Sequence, residues 1–80
     1  MYFVYVIKSK IDGRLYKGLS MDPESRLKEH NTGKTKSTRP YKPWELVYTE
    51  EFDSIEEARK RELYLKSGIG REYLNNILDP

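Results

Sequence analysis

Eighty residues with no cysteine, 35% charged and a formal net charge of +2 leave room for one core and exclude disulfides and thiolate metal sites. We therefore expect one domain over residues 1–80, with burial of only about 60% of the unfolded surface. The apolar run Tyr2 to Ile7 is too short for a signal-peptide core and lacks a basic flank, and nothing reaches the length of a membrane span. The expectation is a soluble cytoplasmic protein with no membrane partner. The charge is segregated. Lys34, Lys36, Arg39 and Lys42 fall in a stretch with no acid, whereas Glu45, Glu50, Glu51, Asp53, Glu56 and Glu57 fall in one with no base. A polyanionic partner accounts for this pattern, and so does a solvated loop followed by a solvated helix start.

Residues 2–8 read as a strand apolar on both faces, which suits a central position. Asp12-Gly13 supplies a type I′ hairpin signal, and residues 14–19 return as a second strand. Asp22 as N-cap and Pro23 as first helical residue open a helix to about Asn31, closed by Gly33. Leu27, with Met21, is its only apolar means of docking. Residues 33–43 form a loop by composition. The stretch WELVYTEEF is a third strand, with Trp44, Leu46 and Tyr48 facing one way. Ser54 and Glu57 make a capping box for a second helix to about Ser67. Gly68 and Gly70 punctuate, and REYLNNIL forms a third helix anchored by Tyr73, Leu74, Ile77 and Leu78. The order β-β-α-β-α-α is an α+β arrangement, a small three-stranded antiparallel sheet flanked by helices.

Four features carry chemistry. Glu62 sits in the apolar stripe Ile55, Ala58, Glu62, Leu65 of the second helix. It is either a rim residue paired with Arg59 or Lys66, or a carboxylate lining a cleft as a ligand for a hard cation. Tyr5 and Tyr16 share a sheet face if the hairpin loop has two or four residues, and otherwise only with a bulge. They read as catalytic groups or as ordinary sheet aromatics, with open space beside them at Gly18. Arg26 and His30, four apart, share a helix face. The former offers a fork of donors to phosphate. The latter, the only histidine, can serve as acid, base or donor, or be incidental.

Together these residues resemble the GIY-YIG nuclease family. FVY (Phe3-Val4-Tyr5) corresponds to its first triplet and YKG (Tyr16-Lys17-Gly18) to its second. RLKEH supplies the Arg and His, and Glu62 in ARKRELYLKSG the metal-binding Glu. The resemblance covers residues 2–75 and is greatest to small stand-alone members related to the N-terminal nuclease domain of the UvrC repair excinuclease. Phe3 and Val4 depart from the first triplet. Lys17 replaces the middle Ile of the second. A Lys that some relatives carry just after it is missing, with Leu19 and Ser20 in that region.

The resemblance implies a DNA endonuclease with a role in repair or recombination. Tyr5, Tyr16, Arg26, His30 and Glu62 would be catalytic, and Glu62 would hold one Mg²⁺ or Mn²⁺. Arg26 would bind the scissile phosphate. Tyr5 would be the base, its phenolate favoured by Arg26 and the metal, with Tyr16 and His30 assisting. Asn75 is the nearest counterpart of a late active-site Asn. Lys17, Lys34, Lys36, Arg39 and Lys42 would contact DNA phosphates. With no element for base readout, selectivity would come from DNA structure or from a targeting protein partner. A silent nucleic-acid-binding module and a protein-interaction module working through the acidic segment are the alternatives.

Overall fold

The structure, a computed structural model, describes residues 1–78, and the last two residues of the expected domain lie outside the described residues. Strand β1 (Tyr2–Ser9) runs between β2 (Leu15–Ser20) and β3 (Trp44–Phe52), antiparallel to both. Helices α1 (Pro23–Thr32), α2 (Ile55–Lys66) and α3 (Gly68–Leu78), with a 3₁₀ turn over Arg39–Tyr41, complete the expected β-β-α-β-α-α order. β1 is central because four successive residues, Val4, Tyr5, Val6 and Ile7, are all buried, so both of its faces must be covered. Val4 and Val6 pack with Ala58, Leu65 and Leu74 of α2 and α3. Tyr5 and Ile7 pack with Trp44, and with Leu27 of α1 and Tyr41 of the 3₁₀ turn around them.

The hairpin is not the expected type I′ turn. Ser9 N–H donates to the Arg14 carbonyl and Gly13 N–H to the Ser9 carbonyl, both at 2.9 Å. Residues 10–13 thus form the loop, and only Gly13 takes a positive φ, 80°. Type I′ requires positive φ at both central positions, which Asp12 does not adopt. The even loop still fulfils the condition for Tyr5 and Tyr16 to share a face. β3 also departs from expectation. Val6 pairs with Tyr48 but Ile7 with Leu46, so Val47 is a bulge. One extra residue resets the alternation: Trp44 and Leu46 stay with Ile7, while Tyr48 joins the face of Val4 and Val6.

α1 is capped as expected, Ser25 N–H donating to Asp22 Oδ1 (3.2 Å) and Gly33 closing it at φ 84°. Its buried residues are Pro23 and His30, with Leu27 partly covered. Met21 is 66% exposed and does not dock the helix. Asn31 clamps it instead: Trp44 N–H donates to Asn31 Oδ1 (2.6 Å) and Asn31 Nδ2 donates to the Trp44 carbonyl (3.0 Å).

α2 follows the expected bounds, although Ile55 at the end of its stripe is exposed. α3 starts at Gly68, three residues before the expected Arg71, because Ser67 acts as its cap. Gly70 N–H donates to Ser67 Oγ (3.2 Å) and Arg71 N–H to the Ser67 carbonyl (2.9 Å). Gly70 is a contact residue rather than a stop, since a Cβ there would collide with the Tyr64 carbonyl oxygen and sit 2.5 Å from Leu65 Cα. Ile77, an expected anchor, is exposed. Among the described residues no helix is long and apolar enough to cross a membrane.

Candidate active site

A groove of about 510 Å³ opens along the free side of β2, the edge strand. Tyr5, Tyr16 and Gly18 line it from the sheet, Arg26 from α1, and Arg59, Glu62 and Lys66 from α2. The alternation of β1 and β2 points both tyrosines to the α1 side, with ring centroids 6.4 Å apart. Gly18 pairs directly across from Tyr5. The space expected beside the pair is filled by the Tyr5 ring, and a Cβ on Gly18 would lie 2.5 Å from Cζ and the hydroxyl oxygen.

Behind the groove lies His30, fully buried. Its Nε2 is 3.0 Å from the Tyr5 hydroxyl and its Nδ1 is 2.8 Å from Thr38 Oγ1. Tyr16 stands edge-on to it, centroids 4.9 Å apart. Burial pushes the His30 pKa below its ordinary value, and neighbouring Arg26 adds to this while Glu29 opposes it. The imidazole is therefore neutral near pH 7. Burial likewise raises the Tyr5 pKa, further aided by Tyr16 and Glu62 and opposed by Arg26. The expected phenolate is not favoured in the free protein: the nearby guanidinium does not outweigh desolvation.

Arg26 Nη1 donates to Glu29 Oε1 at 2.6 Å. A guanidinium has five N–H donors, so this contact orients Arg26 and leaves a fork for a phosphate. Glu62, its side chain 16% exposed, accepts from Lys66 Nζ at 3.3 Å. The ion pair with Lys66 is the one expected of a rim residue, and the same carboxylate also lines the groove. Such an i,i+4 pair contributes only about 0.3–0.5 kcal/mol, so it does not commit the Glu62 carboxylate to Lys66. Among the described residues no three His, Cys, Asp or Glu side chains gather as a metal cage. A lone accessible carboxylate suits a small hard cation, which keeps several waters and takes its other oxygens from substrate phosphates.

A family model described as the GIY-YIG catalytic domain matches residues 1–75. The chain belongs to the GIY-YIG family. It is 43% identical over 67 residues to a UPF0213 protein of Staphylococcus saprophyticus, covering 82% of this chain and 80% of that one. It is 40% identical over 77 residues to a UPF0213 protein of Staphylococcus epidermidis, covering 95% and 93%. The solution structure of a UPF0213 protein from Bacillus halodurans is similar to it, with a TM-score of 0.59 and 38% identity over 100% of this chain and 89% of that one. The GIY-YIG fold thus gathers Tyr5, Tyr16, Arg26 and Glu62 in one groove with His30 behind them.

The other expected residues lie elsewhere. Lys17 projects to the opposite sheet face and, with Arg14, Arg71 and Asn75, lines a second depression of about 350 Å³. Asn75 is therefore outside the groove. Lys34, Lys36, Arg39 and Lys42 are exposed on the loop beyond α1 and do not line the groove. Arg39 is engaged there, Nε donating to the Gly33 carbonyl (2.7 Å). The sequence gives no sign of Thr38, buried among polar loop residues, or of Arg71. Arg59 and Lys66 are expected only as ion-pair partners of Glu62, and both also line the groove. The cations on α2 and α3 carried no signal apart from helical phase relative to Glu62.

Proposed function

We propose that the protein is a divalent-metal-dependent endonuclease that hydrolyses DNA phosphodiester bonds with structural or weak sequence selectivity, in DNA repair or recombination. The observation that carries this reading is the convergence of Tyr5, Tyr16, Arg26 and Glu62 on one groove from four elements. Glu62 would hold Mg²⁺ or Mn²⁺, which when bound supplies charge stabilisation at the phosphate and at the leaving oxygen. Arg26 binds the scissile phosphate and neutralises charge that develops on it. Tyr5 takes a proton from the attacking water while its own hydroxyl proton passes to His30 Nε2, so no free phenolate has to accumulate. Tyr16 packs against both rings and faces the groove, where it orients the water or the phosphate.

The test is cleavage of nicked, branched, single-stranded and duplex DNAs with Mg²⁺ or Mn²⁺. Glu62→Ala is expected to abolish cleavage while changing stability by less than about 1 kcal/mol, because its ion pair is weak. Cleavage that survives in this variant removes the metal assignment. Salt-dependent DNA binding without metal-dependent cleavage by the wild type would instead identify a binding module.

A further inference from the structure

We propose that Thr38 is a positioning residue of this site: its hydroxyl holds His30 in the tautomer protonated on Nδ1, which leaves Nε2 bare to receive the Tyr5 proton. The assignment follows from counting donors and acceptors. His30, Tyr5 and Thr38 are 0%, 1% and 1% exposed, so their polar atoms depend on one another. Arg26, beside the Tyr5 hydroxyl, can only donate. Nε2 at 3.0 Å is then the acceptor for the Tyr5 O–H. A neutral ring with a bare Nε2 carries its hydrogen on Nδ1 and donates it to Thr38 Oγ1 at 2.8 Å. Thr38 in turn donates to the Thr35 carbonyl at 3.3 Å. In this arrangement every member of the row is paired. In the opposite tautomer, Nε2–H donates to the Tyr5 oxygen and the Tyr5 proton loses the acceptor it has at His30, a loss of about 1–3 kcal/mol for a buried group.

The Thr38 hydroxyl is set by the core rather than by a loose loop. The indole Nε1 of buried Trp44 donates to the Thr38 carbonyl (2.9 Å), and Thr38 N–H donates to the Thr35 carbonyl (3.2 Å). Trp44 is itself fixed to α1 through Asn31. The 33–43 loop thus brings a buried hydroxyl to the far side of the imidazole. As the Tyr5 O–H bond breaks, the Nε2–H bond forms, and the resulting imidazolium keeps its Nδ1–H on Thr38. This is how an oriented imidazole works in hydrolytic triads, where the third member sets the tautomer. Here the orienting group is neutral, so it directs the ring without stabilising the cation as strongly. The catalytic consequence rests on the nuclease reading, whereas the tautomer does not.

The test is ¹⁵N NMR of the ring nitrogens, unambiguous because His30 is the only histidine. At a pH where the ring is neutral, the wild type and Thr38→Ser should show a protonated Nδ1 and a bare Nε2. Thr38→Val should move the proton to Nε2. In cleavage assays, Thr38→Val should lower kcat about tenfold or more with KM unchanged, and Thr38→Ser should restore it. A wild-type ring protonated on Nε2 overturns the proposal, as does a Thr38→Val ring still protonated on Nδ1. If Thr38→Val does not fold, Thr38→Ala replaces it under the same criteria. If the wild type cleaves no DNA, the nuclease reading fails while the nitrogen shifts still decide the role of Thr38.

Discussion

His30 combines two demands that usually conflict, a core position and a polar task. It occupies the place of an apolar anchor on α1 and stays neutral because burial lowers its pKa. That shift has a sign. Above the ordinary value of 6.5 the ring is neutral in both folded and unfolded chains, so its contribution to stability is complete. As the pH falls below that value the unfolded chain takes up the proton first, and stability is lost until the depressed folded pKa is reached. The titratable and charged groups facing the ring are Tyr5, Tyr16, Arg26 and Glu29. Thermal melts from pH 8 to pH 5 should show a decline that sets in near the ordinary value. His30→Gln, less stable throughout, should lack that part of the slope, and an unchanged slope in this variant would remove the assignment. At Tyr5 the hydroxyl alone is at stake. Tyr5→Phe should keep the ring packing and lower kcat by about 10²–10⁴. A larger loss in Tyr16→Phe would transfer the base role to Tyr16.

Glycines decide the geometry at the scale of elements, and two of them separate site from scaffold. Gly18 lets β2 lie under the Tyr5 ring, and Gly70 lets α3 abut the end of α2. Gly18→Ala should displace the Tyr5 hydroxyl from His30 and lower kcat beyond any loss of folded protein. Gly70→Ala meets backbone that cannot yield, so it should cost about 1–3 kcal/mol or more while the folded fraction keeps its activity. Denaturant melts alongside active-fraction kinetics distinguish the two. Equal effects on kcat per folded molecule would contradict this division. The same elements show what was legible in the sequence. Caps at Asp22, Gly33 and Ser54 act locally and were readable, as was the burial of β1. The bulge at Val47 was not, because nothing in WELVYTEEF marks which residue is skipped until β1 pairs with it. Gly68 and Gly70 read as breakers because intrinsic propensity ignores the close approach of another helix. Within the site, Tyr5, Tyr16, Arg26 and Glu62 were legible as a pattern, whereas Thr38 depends on a loop folding back over α1.

For the whole molecule, the question is which surface carries nucleic acid away from the groove. Composition points to the loop with Lys34, Lys36, Arg39 and Lys42. The fold offers a second surface, in which Lys17, Arg71 and Arg14 line a depression on the far side of β2. Burial lowers the Lys17 pKa, and the nearby charges of Arg71 and then Lys66 lower it further. Lys66 also lines the groove, so this crowded positive charge is continuous with it. Among the described residues Lys17 and Arg71 have no carboxylate within ion-pair distance, whereas Lys10, Arg14, Arg26, Arg61 and Lys66 each have one. A phosphate placed there relieves repulsion among cations that already exists, which an isolated exposed lysine on a loop cannot offer. The Lys17→Ala/Arg71→Ala double variant should therefore weaken duplex binding and reduce the slope of log K against log salt by about 1–2, given roughly 0.9 per phosphate contact. Lys34→Ala/Lys36→Ala should change the slope less. Titrations between low and physiological salt decide it. A larger effect from the loop variant would show that the duplex leaves the groove over α1, and an unchanged slope in both would mean that neither surface follows the DNA.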